Sequence, residues 1–204
     1  MIDFDIKAKD WDSNPRKIER ARIIAEGIRR FINLSPVMNA LEYGCGTGLL
    51  SFALQPYLNH ITLADSSPKM ISVLKGKIDF SGVSNMTPVK LDLPTDPLPS
   101  DRYHLIYTLM TLHHIPDTEK ILSDFCALLK RKGFLCVADL DKEDGSFHGP
   151  DFSGHKGFDR DELKEKLVKV GFRNISFTSC YKMTKEVDAG LRTFPLFLMA
   201  AEKG

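Results

Sequence analysis

Three observations predict an α/β fold built on one doubly wound, Rossmann-like sheet of seven strands, mostly parallel with an antiparallel C-terminal pair and with helices on both faces. Short apolar runs alternate with segments of helical period. The first central run passes directly into a glycine turn, "ALEYGCGTG" at 40–48. The last two strand candidates have no helix between them. Taken in order, the first helix is "SNPRKIERARIIAEGIRRFI", where Asn14 can cap and Pro15 suits the first helical position. Ile18, Ala21, Ala25, Ile28 and Ile32 then share a face. Strand candidates follow at 38–43, 60–65, 86–91, 103–108, 134–140, 173–180 and 195–202. Helix candidates lie at 48–57, 68–78, 117–130 and 160–169, with a short or irregular piece after 92. Ser67 with Pro68 starts one helix, and Asp159 with Glu162 resembles a capping box. Gly133 and Gly171 stand where C-terminal helix stops belong. Pro88 cannot donate to a ladder, so its strand is expected at an edge. The final two strands are expected to pair antiparallel at one end of the sheet. The whole of 1–204 reads as one domain, with 1–33 as an N-terminal lid and helix belonging to it.

A net charge of +1 carries no electrostatic footprint for nucleic acid or an anionic membrane. No apolar run is long enough to span a bilayer, and "MIDFDIKAKDWD" lacks the apolar stretch of a signal peptide. Cys45, Cys126, Cys136 and Cys180 are widely spaced and form no CxxC pair or disulfide framework. They read as buried free thiols, which suits a cytoplasmic location.

Gly44, Gly46 and Gly48 stand where the first strand should give way to a helix. In a doubly wound sheet this turn borders the ligand crevice, so backbone without Cβ atoms lets a ligand lie against the main chain. The spacing is G-x-G-x-G, and Leu49 occupies the third glycine position of the dinucleotide fingerprint. That counts against a nicotinamide-dependent oxidoreductase. Asp65 follows Gly44 by 21 residues at the end of the second strand, where an acid can accept both ribose hydroxyls. Asp92 is the next acid at a strand end, with Leu93 beside it, and suits either a ligand contact or a loop acid before Pro94. Glu42, within the first strand, would need a cationic partner or partial wetting.

"LEYGCGTG", "ADSSPKM", "KLDLP", "YHLIYTLMTLHHIPD" and "LLKRKGFLCVADL", in this order, resemble the motifs of the class I S-adenosylmethionine-dependent methyltransferases, in particular the small-molecule type 11 and type 12 domains. The resemblance covers nearly the whole chain and implies S-adenosyl-L-methionine as cofactor and a small-molecule methyl acceptor as partner. It implies cofactor contacts from Glu42, Gly44, Cys45, Gly46, Gly48, Asp65, Ser66, Met70, Asp92, Leu93 and Leu109, with Trp11 in a segment that many members place over the cofactor. One departure is Tyr103-His104, where the pattern usually has an aromatic-acid pair; His104 is expected to be structural. No Asn-Pro-Pro-Tyr type signature occurs, which with the neutral charge makes a nucleic-acid substrate unexpected. A cofactor-binding regulator that no longer methylates is the other reading.

Methyl transfer from a sulfonium needs alignment, a dry pocket and sometimes a base. The candidates are His113 and His114 in the turn after the fourth strand, and His148 and His155 in the long irregular stretch after the fifth. That stretch, 141–158, and residues 1–13 are expected to be mobile lids that order around ligands. Trp11 and Tyr107 suit either the cofactor or the core. The spacing of His148, Asp151 and His155 matches no ligand motif, so no metal is expected.

Overall fold

The Asn14 side chain accepts a hydrogen bond from the Arg16 N–H, and Pro15 enters the helix without an N–H to satisfy. In the computed structural model, which describes residues 4–187 and 190–204, α1 (Phe4–Lys7) and a single 3-10 turn (Trp11–Ser13) precede this point. The capped helix is α2 (Pro15–Phe31), which buries Ala21, Ile24, Ala25 and Ile28. Ile18, expected on that face, is instead exposed. The chain continues through β1 (Asn39–Tyr43), α3 (Leu49–Leu54), β2 (His60–Asp65), α4 (Pro68–Ser81) and β3 (Met86–Lys90). It then forms β4 (Tyr103–Leu109), α5 (Thr118–Leu128), β5 (Leu129–Leu140), α6 (Arg160–Lys169), β6 (Phe172–Val187) and β7 (Gly190–Lys203).

The seven strands form one sheet in the order β3-β2-β1-β4-β5-β7-β6. β1 to β5 are mutually parallel, and β7 runs antiparallel to both β5 and β6. The order reverses between β1 and β4, which opens the crevice above the turns that follow these two strands. β3 is an edge strand, as Pro88 requires. Alternate residues of the parallel strands feed two cores. Ala40, Ile61, Leu63, Leu105 and Tyr107 pack with α2, α3 and α4. Leu41, Ala64, Ile106, Leu135 and Val137 pack with α5 and α6. Burial on both faces explains why these strands read as continuous apolar runs.

Several boundaries differ from expectation. α5 ends at Leu128, because Leu129 is already extended and paired with Tyr103. Gly133 is therefore no helix stop; it lies inside β5, where a Cβ would press on the Lys130 carbonyl at 2.8 Å. Gly171, at φ +101, does follow α6 as a stop. Asp159 caps the Asp161 and Glu162 N–H groups, while the Glu162 carboxylate reaches Lys142 at 3.4 Å. No helix forms between β3 and β4. β6 and β7 run past the expected 180 and 195 as a long ribbon, paired from Tyr181–Leu196 to Val187–Gly190. The polar run "YKMTKE" hides this extension. Cys45 and Cys136 are buried, whereas Cys126 and Cys180 are only partly so; all four are free.

Candidate active site

The three glycines of the first turn all have positive φ, from +53 to +78, but they answer to different neighbours. A Cβ on Gly44 would strike Thr111 at 2.3 Å, and one on Gly48 would meet Leu74 at 2.7 Å. Both are fixed by packing inside the protein. A Cβ on Gly46 would face the crevice and come no closer than 3.6 Å to Trp11 and 3.9 Å to Met70 Sδ. Gly46 is thus the point at which a ligand can approach the main chain. Its N–H donates to Asp65 Oδ2 at 2.7 Å, and the Ser67 N–H donates to Asp65 Oδ1 at 2.8 Å. Each oxygen keeps a lone pair for a further donor. Burial raises the Asp65 pKa against the opposing pull of those two N–H groups.

Trp11 covers Gly46 because the N-terminal segment is tied down beside it. Asp12 accepts from Thr47 Oγ1 at 2.5 Å and pairs with Lys77 at 2.5 Å, and Lys77 also donates to the Thr47 carbonyl at 2.7 Å. The Asp5 carboxylate accepts from Ser67 Oγ. Residues 1–3 of the expected lid lie outside the described residues.

The other expected cofactor residues fall into two groups. Cys45 is buried in the turn, Met70 lies buried beneath Gly46, Ser66 is exposed at the end of β2, and Leu109 ends β4 beside the crevice. Asp92 is half-buried and accepts from Thr95 Oγ1 at 3.2 Å. Glu42 and Leu93 look inward instead. The Glu42 carboxyl is 3% exposed and accepts from the Ser51 N–H and Oγ–H; Ser51 Oγ lies 2.6 Å from the Tyr107 hydroxyl. Burial pushes its pKa up to about 8. Leu93, expected at the cofactor, is in the core and its N–H donates to the Tyr43 hydroxyl at 3.1 Å. Tyr107 is wholly buried, which settles it as core. His104 accepts from the Asn39 N–H at the far end of β4, away from the crevice, in the structural role expected.

The turn after β4 is bent by Met110, whose φ of +56 is unusual for a side chain of this kind. The bend sends Thr111 against Gly44 and places His113 and His114 at the end of a single helical turn. The long stretch 141–158 folds back over them. His148 stacks on Phe152 at 3.9 Å between ring centres, and its ring lies 5.0 Å from His113 and 5.3 Å from His114. Phe4 of α1 meets His114 edge-on at 5.2 Å and Trp11 at 6.1 Å. One segment thereby links the histidines to the turn at Gly46. Burial, then the neighbouring His113 and His148, hold His114 down to about 3; burial and His113 hold His148 down to about 4. Both are neutral imidazoles near neutral pH.

His155 does not join this group. Its Nε2 lies 3.0 Å from the Ile115 carbonyl and 3.1 Å from that of Pro116, while its N–H donates to the His113 carbonyl at 2.8 Å. It pins the loop instead. The residue missed by sequence reasoning is Asp139, wholly buried near the end of β5. Its Oδ1 is 2.6 Å from His113 Nδ1, and it also accepts the Leu140 and His113 N–H groups. The available signal was an acid closing the apolar run "FLCVADL". Phe4 and Phe152 carried no signal of their own.

Comparison with known proteins places the chain. Residues 16–177 match the methyltransferase domain family. The chain belongs to the class I S-adenosylmethionine-dependent methyltransferases. This methyltransferase is 33% identical over 119 residues to an uncharacterised methyltransferase of Schizosaccharomyces pombe, a match covering 55% of this chain and 42% of that protein. It is 25% identical over 145 residues to a ubiquinone biosynthesis O-methyltransferase of Coxiella burnetii, covering 70% and 62%. The match thus spans about half the length of these curated relatives. Its fold is similar to that of a SAM-dependent methyltransferase from Aquifex aeolicus, with a TM-score of 0.70, 20% identity and coverage of 98% and 99%. Among the described residues, no helix of this methyltransferase is long and apolar enough to cross a membrane.

Proposed function

We propose that this chain transfers the methyl group of S-adenosylmethionine to a small-molecule acceptor held between the β1 and β4 turns and the 141–158 loop, in a reducing compartment such as the cytoplasm. The observation that carries the reading is the Gly46–Asp65 pair at the β1 and β2 ends: one bare backbone face beside one carboxylate with spare lone pairs. S-adenosylmethionine, when bound, supplies a methyl already activated on a sulfonium. Asp65 would accept the ribose hydroxyls and Asp92 the adenine amino group. Trp11 shields the Gly46 side from water. His113 Nδ1 lies 2.6 Å from Asp139 Oδ1, a contact that holds the ring in place on the acceptor side. The net charge of +1 and the enclosed aromatic surroundings of the histidines favour a small acceptor over a nucleic acid. Asp65→Ala tests the reading. Affinity for S-adenosylhomocysteine, measured by calorimetry on the folded variant, should fall by about 1–3 kcal/mol, a charge-assisted hydrogen bond or two. Unchanged affinity would leave Asp65 a mere anchor for the Gly46 turn.

A further inference from the structure

We propose that His113, His114 and His148 form a mononuclear site for a divalent first-row transition ion of the zinc class. Three features of the structure converge on it. The ligand atoms of the three rings lie within 4.8 Å of one another, although the residues come from two loops. The Nε2 atoms of His113 and His148 are buried and have no hydrogen-bond partner. Such atoms are costly unless something accepts their lone pairs. His113 Nδ1 is held by Asp139 at 2.6 Å, with both groups buried. This carboxylate–histidine pairing fixes the ring and directs Nε2 toward an ion.

The donor set suits borderline metals rather than magnesium or calcium, which take oxygen ligands. Metal–nitrogen bonds of about 2.0–2.1 Å require the rings to close by roughly an ångström, a change of side-chain torsions. Three protein ligands leave a position open, the pattern of catalytic rather than structural zinc. Phe147 and Phe152 pack against His148, and Phe4 and Phe152 against His114. They would keep the ion's surroundings dry. In that open position the ion would polarise an oxygen of the acceptor, a role that rests on the methyl-transfer reading. The expectation of no metal came from residues 148–155 alone, and only His148 of that stretch belongs to the site.

The test loads metal-stripped protein with zinc chloride, and separately with cobalt chloride, followed by gel filtration and elemental analysis. One ion per chain should be retained, and the cobalt form should show visible bands of low-coordinate nitrogen ligation. Asp139→Asn should weaken zinc affinity about 10–100-fold. His148→Ala, with His114→Gln as a second variant, should abolish retention, while His60→Ala on the opposite end of the sheet should not. No retention by the folded wild type, or equal retention by the folded His148 and His114 variants, would overturn the site. Binding of S-adenosylhomocysteine to the metal-free protein is measured in parallel, so failure of the metal site and failure of the methyltransferase reading are distinguished.

Discussion

The glycines of one turn show how a single residue type serves two ends. Gly44 and Gly48 are dictated by Thr111 and Leu74, and only Gly46 looks into the crevice. Gly46→Val should therefore leave a folded protein, destabilised by about 1–2 kcal/mol for its left-handed φ, that no longer binds S-adenosylhomocysteine. Paired thermal melts and calorimetry check this; undiminished binding would make Gly46 a residue of the turn alone. Glu42 gives a pH signature. Its folded pKa of about 8 lies above that of the unfolded chain, so the native state holds a proton that the unfolded state releases. The Glu42 contribution to stability is fully present below the unfolded carboxyl pKa and is lost as pH rises toward 8. Glu42→Gln should flatten this decline, gaining up to about 4 kcal/mol at pH 8 relative to pH 5. Denaturant titrations at the two pH values measure it, and parallel wild-type and variant profiles would show that Ser51 and Tyr107 keep the carboxylate charged.

At the scale of elements, two covering segments meet over the crevice. Residues 4–13 are tied to the glycine turn through Asp12, and residues 141–158 carry their own hydrogen bonds, among them Glu143 accepting the Gly145 and Phe147 N–H groups. Both lie outside the sheet, and such segments open more readily than core strands. Hydrogen exchange should show protection of 4–13 rising with S-adenosylhomocysteine alone, and of 141–158 only when an acceptor is added. Identical exchange in every state would move the acceptor pocket elsewhere. Asp12→Ala should raise exchange in 4–13 without changing that of α4 beyond Lys77.

For the whole molecule, the reversal between β1 and β4 leaves one crevice at the strand ends, so a nucleotide ligand should report on global stability. S-adenosylhomocysteine at 100 times its dissociation constant adds about 2.7 kcal/mol. For a chain of this size that raises the melting temperature by about 5–10 °C. NAD at the same concentration should leave it unmoved, since Leu49 stands in place of the third fingerprint glycine. A shift with NAD and none with S-adenosylhomocysteine would reverse the assignment.

Local patterns by themselves determined the seven strands, their parallel and antiparallel sense and the edge position of Pro88. Periodicity, capping residues and proline act over a few positions, so a linear reading captures them. The ends of α5, β6 and β7 escaped it, because pairing partners far along the chain decided them: Tyr103 drew Leu129 into a strand, and β7 carried the polar half of β6. The same holds within the site. Glu42 and Leu93 carry the right residue types at the right spacing, yet Ser51 and Tyr43 claim their polar groups. His155 reads like His148 until the fold turns it toward the Ile115 carbonyl. The meeting of His113, His114 and His148 over a buried Asp139 belongs wholly to tertiary structure. Residues from three separate turns and strand ends converge only once the sheet has ordered its strands, and no spacing along the chain encodes that distance.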